Sequence, residues 1–150
     1  MADICREAES SVDGLRLAVL PRSVSMEAMA IAEAIAAAAV KAATDLKAAL
    51  IICLTESGNT ARLVAKYRPH ASILTITANE QVARQCLAVR GLFPLLVGSM
   101  VGTDSLIHRA VMAAQKLEMC KIGDYVVITS GVKEAVTGAT NMLKVIQVSY

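Results

Sequence analysis

Thr55-Glu56-Ser57-Gly58-Asn59-Thr60 packs three hydroxyls, a side-chain amide and a glycine between an apolar run and a helix-forming stretch. The first amides of a helix have no acceptor within it and carry partial positive charge. Gly58 permits an anion to approach the backbone, and Thr55, Ser57, Asn59 and Thr60 add neutral polar groups at the same point. Such a loop can cradle a phosphate. The same residues also serve a plain helix start capped by Ser57, and the pattern alone leaves both readings open. A second stretch, Ser130 to Thr140, is long for a hairpin and carries Gly131, Lys133 and Gly138. These suit a loop that closes over an anion, or equally an edge loop with a solvated lysine.

Other chemistries lack their residues. No GxxxxGK, GxSxG or dinucleotide fingerprint occurs, no carboxylates cluster for a divalent metal, and neither His70 nor His108 lies near Ser57 in the sequence. We expect no catalytic residue and no metal ligand in this chain. Arg62, Lys66, Arg68, Arg84 and Arg90 read as solvated faces or partner contacts.

The elements that must position these loops follow from periodicity. Ser23 or Ser25 can cap a helix reaching Leu46, with Ile31, Ile35, Ala38 and Ala42 as its buried stripe. Ala48 to Leu54 is apolar throughout, the pattern of a strand buried on both faces. A helix from Asn59 to Tyr67, a strand from Ser72 to Thr77 and a helix capped by Asn79 and reaching Val89 come next. A short strand from Pro94 to Val97 precedes a helix capped by Thr103 or Asp104, with Ile107, Ala110, Ala114 and Leu117 in register. Tyr125 to Thr129 and Met142 to Val148 complete the strands. Alternating strands and helices predict a parallel sheet, and the short last connection predicts an antiparallel final strand. The expected fold is α/β: a three-layer sandwich around a five-stranded mixed sheet. If the first and fourth strands are neighbours, the two loops meet where strand order reverses.

Length and composition bound the partners. The 150 residues suit one domain; 55% are hydrophobic but only 3% aromatic, so Ala, Val, Ile and Leu must fill the core. A net charge of +2 without like-charge blocks or aromatic platforms gives nucleic acid little to hold. Mean hydropathy is +0.54, but charges interrupt the Ala-rich stretch from Met26 to Leu46, so no membrane span is expected. Cys5, Cys53, Cys86 and Cys120 are scattered, the pattern of reduced core thiols in a cytosolic protein. Met1 to about Asp13 reads as a short amphipathic helix ended by Gly14.

The run Thr55-Glu56-Ser57-Gly58-Asn59-Thr60-Ala61-Arg62-Leu63-Val64-Ala65-Lys66-Tyr67-Arg68-Pro69 closely resembles the TxSGxTAxxVAKYRP stretch of pyruvate kinases. Arg84-Gln85 with Arg90-Gly91-Leu92-Phe93-Pro94, then Gly123-Asp124 and Thr140-Asn141-Met142, resemble later segments of the same family. The resemblance implies a carboxy-terminal α/β domain over residues 25–150, a connector over 16–24 and the last barrel helix over 1–15. It implies that phosphate transfer from phosphoenolpyruvate to ADP, with magnesium and potassium, belongs to the barrel and lid of the full-length cytoplasmic enzyme. The implied role here is allosteric. A sugar-phosphate activator binds Thr55, Ser57, Gly58, Asn59 and Thr60, and the loop with Gly131, Lys133 and Gly138 closes over it. The domain would contact its own barrel and join subunits of a tetramer, partly through the last strand. The chain has no Trp, and only His108 or Arg109 lies near the family's clamp for a second phosphate, which favours a monophosphate. The competing readings are a stand-alone phosphosugar- or nucleotide-binding module and a pure assembly domain.

Overall fold

The computed structural model describes residues 3, 4, 7, 8, 30–131 and 140–149. Within them run α1 (Ile31–Asp45), β1 (Leu50–Leu54), α2 (Asn59–Lys66), β2 (Ser72–Thr77) and α3 (Glu80–Cys86). There follow β3 (Leu92–Leu96), α4 (Thr103–Lys116), β4 (Tyr125–Gly131) and β5 (Thr140–Gln147). One five-stranded sheet has the order β3-β2-β1-β4-β5. The first four strands pair in parallel and β5 pairs with β4 antiparallel, as the connection lengths predict.

Side chains alternate across the sheet and give it two cores. Leu50, Ile52, Leu74, Ile76, Val126 and Ile128 face α4, whose Leu106, Ile107, Ala110, Val111 and Ala114 are buried. Ile51, Cys53, Ile73, Leu92 and Val127 face α1, α2 and α3. All five residues of β1 are buried, because helices cover both its faces.

The structure moves several boundaries. The helix expected from Ser23 or Ser25 begins at Ile31, where extended Ala30 (φ −59°, ψ 141°) stands at the N-cap without a side-chain cap. Ser23, Ser25 and the 16–24 connector lie outside the described residues. So does most of the amino-terminal helix, of which Asp3, Ile4, Glu7 and Ala8 are described and helical. The buried stripe of α1 is Ala36, Ala39, Val40 and Ala43, one position on from the expected one, and Ile31 is 69% exposed. Small alanines let either stripe approach the sheet, so periodicity could not choose between them. Leu117 likewise proves exposed.

Asn79 caps α3 as expected, its side chain accepting from the Gln81 and Val82 amides. Neither Thr103 nor Asp104 caps α4. Left-handed Gly102 (φ 83°) holds that position, and the Ser105 hydroxyl donates to its carbonyl. β4 runs two residues past Thr129, so Gly131 is a strand end paired with Thr140 rather than loop. Hairpin pairing with β5 extends the strand through residues that read as a turn. Cys53, Cys86 and Cys120 are buried and free, while Cys5 lies outside the described residues.

Candidate functional site

Strand order reverses between β1 and β4, and the loop after β1 lies at this carboxyl-terminal edge. The buried polar side chains among the described residues are Thr55, Thr60, Thr75, Thr77, Thr129, Ser130 and Thr140. They are all hydroxyls. Apart from Thr60, in the first turn of α2, each lies in the carboxyl-terminal half of β1, β2 or β4, just past it, or at the antiparallel start of β5. The opposite ends of these strands bury apolar residues. Hydroxyls cost less to bury than charges and can each donate and accept, so this edge is polar yet uncharged.

Thr55 continues β1, its amide donating to the Ile76 carbonyl at 3.0 Å. Its hydroxyl turns inward and accepts from the Gly58 amide at 3.0 Å, which folds the loop into a tight turn. Gly58 is the N-cap of α2 at φ 74°, a left-handed conformation suited to glycine. A Cβ there would sit 2.9 Å from Val82 Cγ1 and 3.2 Å from Arg62 Nη1. Ser57 is therefore not the cap. Its hydroxyl accepts a long 3.4 Å contact from the Asn59 amide. The first intrahelical bond of α2 runs from Arg62 N–H to the Gly58 carbonyl. The Thr60 and Ala61 amides in this first turn have no intrahelical acceptor and carry the positive end of the helix dipole.

The loop expected to use Thr60 as a ligand donor uses it otherwise. The Thr60 hydroxyl is buried and hydrogen-bonded to the Thr140 hydroxyl at 2.6 Å, joining α2 to β5. This contact sets α2 against the first residue of β5; the expected meeting of the two loops falls on residues 132–139, outside the described residues. Lys133 and Gly138 lie outside the described residues.

Arg62 is the residue that sequence reading missed. Its Nη2 donates to the Ser57 carbonyl at 3.1 Å, laying the guanidinium beside Gly58. The available signal was its spacing four residues after Gly58, one helical turn. This places a fixed positive charge against a loop whose own charged residue is Glu56. Beneath it, burial raises the Cys86 thiol pKa, partly offset by the Arg62 charge. Burial pushes Cys53 up to about 12, opposed by the neighbouring Thr129 hydroxyl, with Cys86 reinforcing the rise. Neither thiol is a nucleophile near neutral pH.

Two cavities lie away from this loop. One of about 380 Å³, lined by residues including Lys47 and His70, opens where the chain enters β1 and β2. Another of about 200 Å³ separates α4 from β5 and includes Asp104, His108 and Lys144. No group of three or more His, Cys, Asp or Glu among the described residues could hold a metal. No helix among them is long and apolar enough to cross a membrane.

The family described as "Pyruvate kinase, alpha/beta domain" matches residues 33–146. A pyruvate kinase of Dictyostelium discoideum is 49% identical over 151 residues, covering 99% of this chain and 30% of that protein. One of Eimeria tenella is 41% identical over 148 residues, covering 99% and 28% respectively. A Cryptosporidium parvum pyruvate kinase crystal structure superposes with TM-score 0.88 at 34% identity, covering 97% of this chain and 28% of that one. A structure of Cryptosporidium parvum pyruvate kinase in complex with ADP gives TM-score 0.88 at 36% identity, with coverage of 97% and 29%. The chain therefore spans under a third of the length of these relatives.

Proposed function

The chain belongs to the pyruvate kinase α/β-domain family, and from that premise we propose that it is the effector-binding and subunit-association domain of such an enzyme. Residues 55–60 take the phosphate of a sugar-phosphate activator. The observation that carries this reading is the gathering of buried hydroxyls at one edge of the sheet, where strand order reverses beside the start of α2. The first-turn amides of α2 and the Ser57 hydroxyl supply the donors, and Thr55 shapes the turn through the Gly58 amide. Asn59, exposed at the first helical position, adds its side-chain amide, and left-handed Gly58 sets the turn into α2. Thr60 contributes its backbone amide, its hydroxyl being committed to Thr140. Arg62 supplies positive charge beside the loop. In this proposal Gly131 is the root of the closing segment, with Lys133 and Gly138 reaching over the bound phosphate. With no Trp in the chain, and only His108 or Arg109 near the place of the family's clamp for a second phosphate, a monophosphate is the better fit.

Phosphate transfer from phosphoenolpyruvate to ADP, with its magnesium and potassium, is assigned to the barrel and lid of the whole cytoplasmic enzyme. The described residues offer no cluster that fits a metal.

Titration calorimetry with inorganic phosphate and a hexose monophosphate tests the loop. Ser57→Glu puts a carboxylate where the ligand's charge would lie, and binding should vanish; unchanged affinity would remove the site from this loop. Ser57→Ala should weaken binding about ten- to a hundredfold, the range of one hydrogen bond to a charged group.

Subunit association is assigned to β5, an edge strand with Val145 39% exposed. Lys144, the bulky charge that would discourage edge pairing, is drawn to Asp104 on α4 at 3.1 Å. Sedimentation should show a dimer that Ile146→Lys dissociates. A wild-type monomer at tens of micromolar, within the affinity range of a weak interface, counts against this role.

A further inference from the structure

Thr60 and Thr140 stand 80 positions apart in the chain, yet their hydroxyl oxygens are 2.6 Å apart. Both residues are more than nine-tenths buried, at 4% and 7% exposure. Thr60 is the last residue of the loop and the second of α2, and Thr140 is the first of β5. Beside Thr140 the β4–β5 ladder slips: Ser130 pairs with Met142 and Gly131 with Thr140, leaving Asn141 out of register. A bulge interrupts the regular ladder and bends the strand locally. The side-chain tie to α2 therefore fixes the root of β5 where backbone pairing is irregular. Separating these hydroxyls would leave two buried polar groups unsatisfied, so α2 and β5 have reason to move as one. Either hydroxyl can serve as donor, and a serine at either position would preserve the bond.

We propose that Thr140 is a positioning residue for the loop 55–60: through Thr60 it holds the first turn of α2 against the root of β5, so that loop and edge strand order and loosen together. The proposal gives one end of the domain a route to the strand assigned above to subunit association. Only its ligand arm rests on the anion reading.

The experiment reads amide hydrogen exchange in β5, from Met142 to Gln147, against the amides of interior strand β2 as an internal control. Gly58→Ala perturbs the loop without a ligand. It should speed exchange in β5 severalfold relative to β2. In a Thr140→Val background, where the tie is already cut, adding Gly58→Ala should change β5 no further. Thr140→Ser should restore the wild-type response, which a purely space-filling role for the threonine methyl would not predict. If Gly58→Ala leaves β5 exchange unchanged, or Thr140→Val responds as wild type does, the proposal is wrong.

The ligand arm uses inorganic phosphate. It should slow β5 exchange in wild type and Thr140→Ser but not in Thr140→Val, where phosphate should bind about fivefold more weakly, the worth of one hydrogen bond. Equal affinity and equal slowing in Thr140→Val overturn the proposal. Absence of phosphate binding by wild type defeats the anion reading instead, and the Gly58→Ala comparison then decides the role of Thr140 alone.

Discussion

Gly58→Ala probes the geometry on which the candidate site depends. At φ 74° an L-residue occupies the left-handed region, which costs about 1–2 kcal/mol. The new methyl would also lie 2.9 Å from Val82 Cγ1 and 3.2 Å from Arg62 Nη1. Arg62 ends in a flexible arm and can withdraw, at the expense of its bond to Ser57. Val82 cannot withdraw so easily, because a β-branched side chain on a helix has one strongly preferred rotamer and this one is only 7% exposed. Overpacking of this kind costs about 1–3 kcal/mol, while the alanine recovers about 0.4–1 kcal/mol by restricting the unfolded chain. The expected net loss is about 2–3 kcal/mol by the same principles, large against the total stability of a small domain. Urea denaturation followed by far-ultraviolet circular dichroism measures it. A double-mutant cycle with Val82→Ala separates the two causes: removing the valine methyls relieves the clash but leaves the backbone strain. In that background the alanine should cost about 1 kcal/mol, close to the strain alone. A variant within about 0.5 kcal/mol of wild type, the usual range for an inconsequential substitution, would refute the reasoning. Equal cost in both backgrounds would refute the clash with Val82 alone.

Two further outcomes follow from buried groups. Thr75 on β2 is fully buried, and its hydroxyl has no hydrogen-bond partner. Near-isosteric Thr75→Val should stabilise the domain by about 1 kcal/mol, and a lower urea midpoint would mean the hydroxyl is satisfied after all. Cys53 is held up to about 12 against an ordinary value of 9.0, so the folded chain keeps its proton after the unfolded chain has lost it. The stabilisation is complete below pH 9.0 and is lost as pH rises towards 12, at up to about 1.4 kcal/mol per pH unit. Cys53→Ala should flatten that part of the stability profile, read from urea midpoints between pH 8 and 11, whatever it does to stability at neutral pH. An unchanged slope would contradict the burial-driven shift.

The legible parts of the sequence were those where one residue type admits one physical outcome. An unbroken apolar run could only be the doubly covered β1, and Asn79, with its short accepting side chain, caps α3 as read. The helix after Gly58 and the antiparallel final strand followed similarly from turn residues and connection length. The reading failed where several positions were physically equivalent. Alanines on neighbouring faces of α1 gave no unique stripe, and the structure selected the one ending at Ala43. Glycine caps were hidden behind nearby hydroxyls: Ser57 precedes Gly58, and Thr103 follows Gly102, yet the left-handed glycines hold both N-cap positions. The candidate loop was visible as a cluster of polar residues, but the direction each hydroxyl faces was not. Thr60 turns inward because a partner 80 residues away waits there, and no local pattern encodes that distance.

The inward turn of Thr55 and Thr60 changes what kind of anion site this loop can be. Hydroxyls that accept from Gly58 or bond to Thr140 first fix the backbone, and through it the direction of the helix amides. In the proposed anion role, binding would rely on helix amides whose backbone is already held, so little ordering would remain to oppose it. The charge comes from outside the loop, on the exposed arm of Arg62, anchored to the Ser57 carbonyl. Geometry and charge are therefore supplied by different residues and can be weakened separately. Loss of the guanidinium removes long-range attraction but leaves the amides in place. Strain at Gly58 misdirects the amides while the charge remains. A loop built on buried hydroxyls in this way can hold its shape with no ligand bound, and the tie from Thr60 to β5 gives that shape a consequence beyond the loop itself.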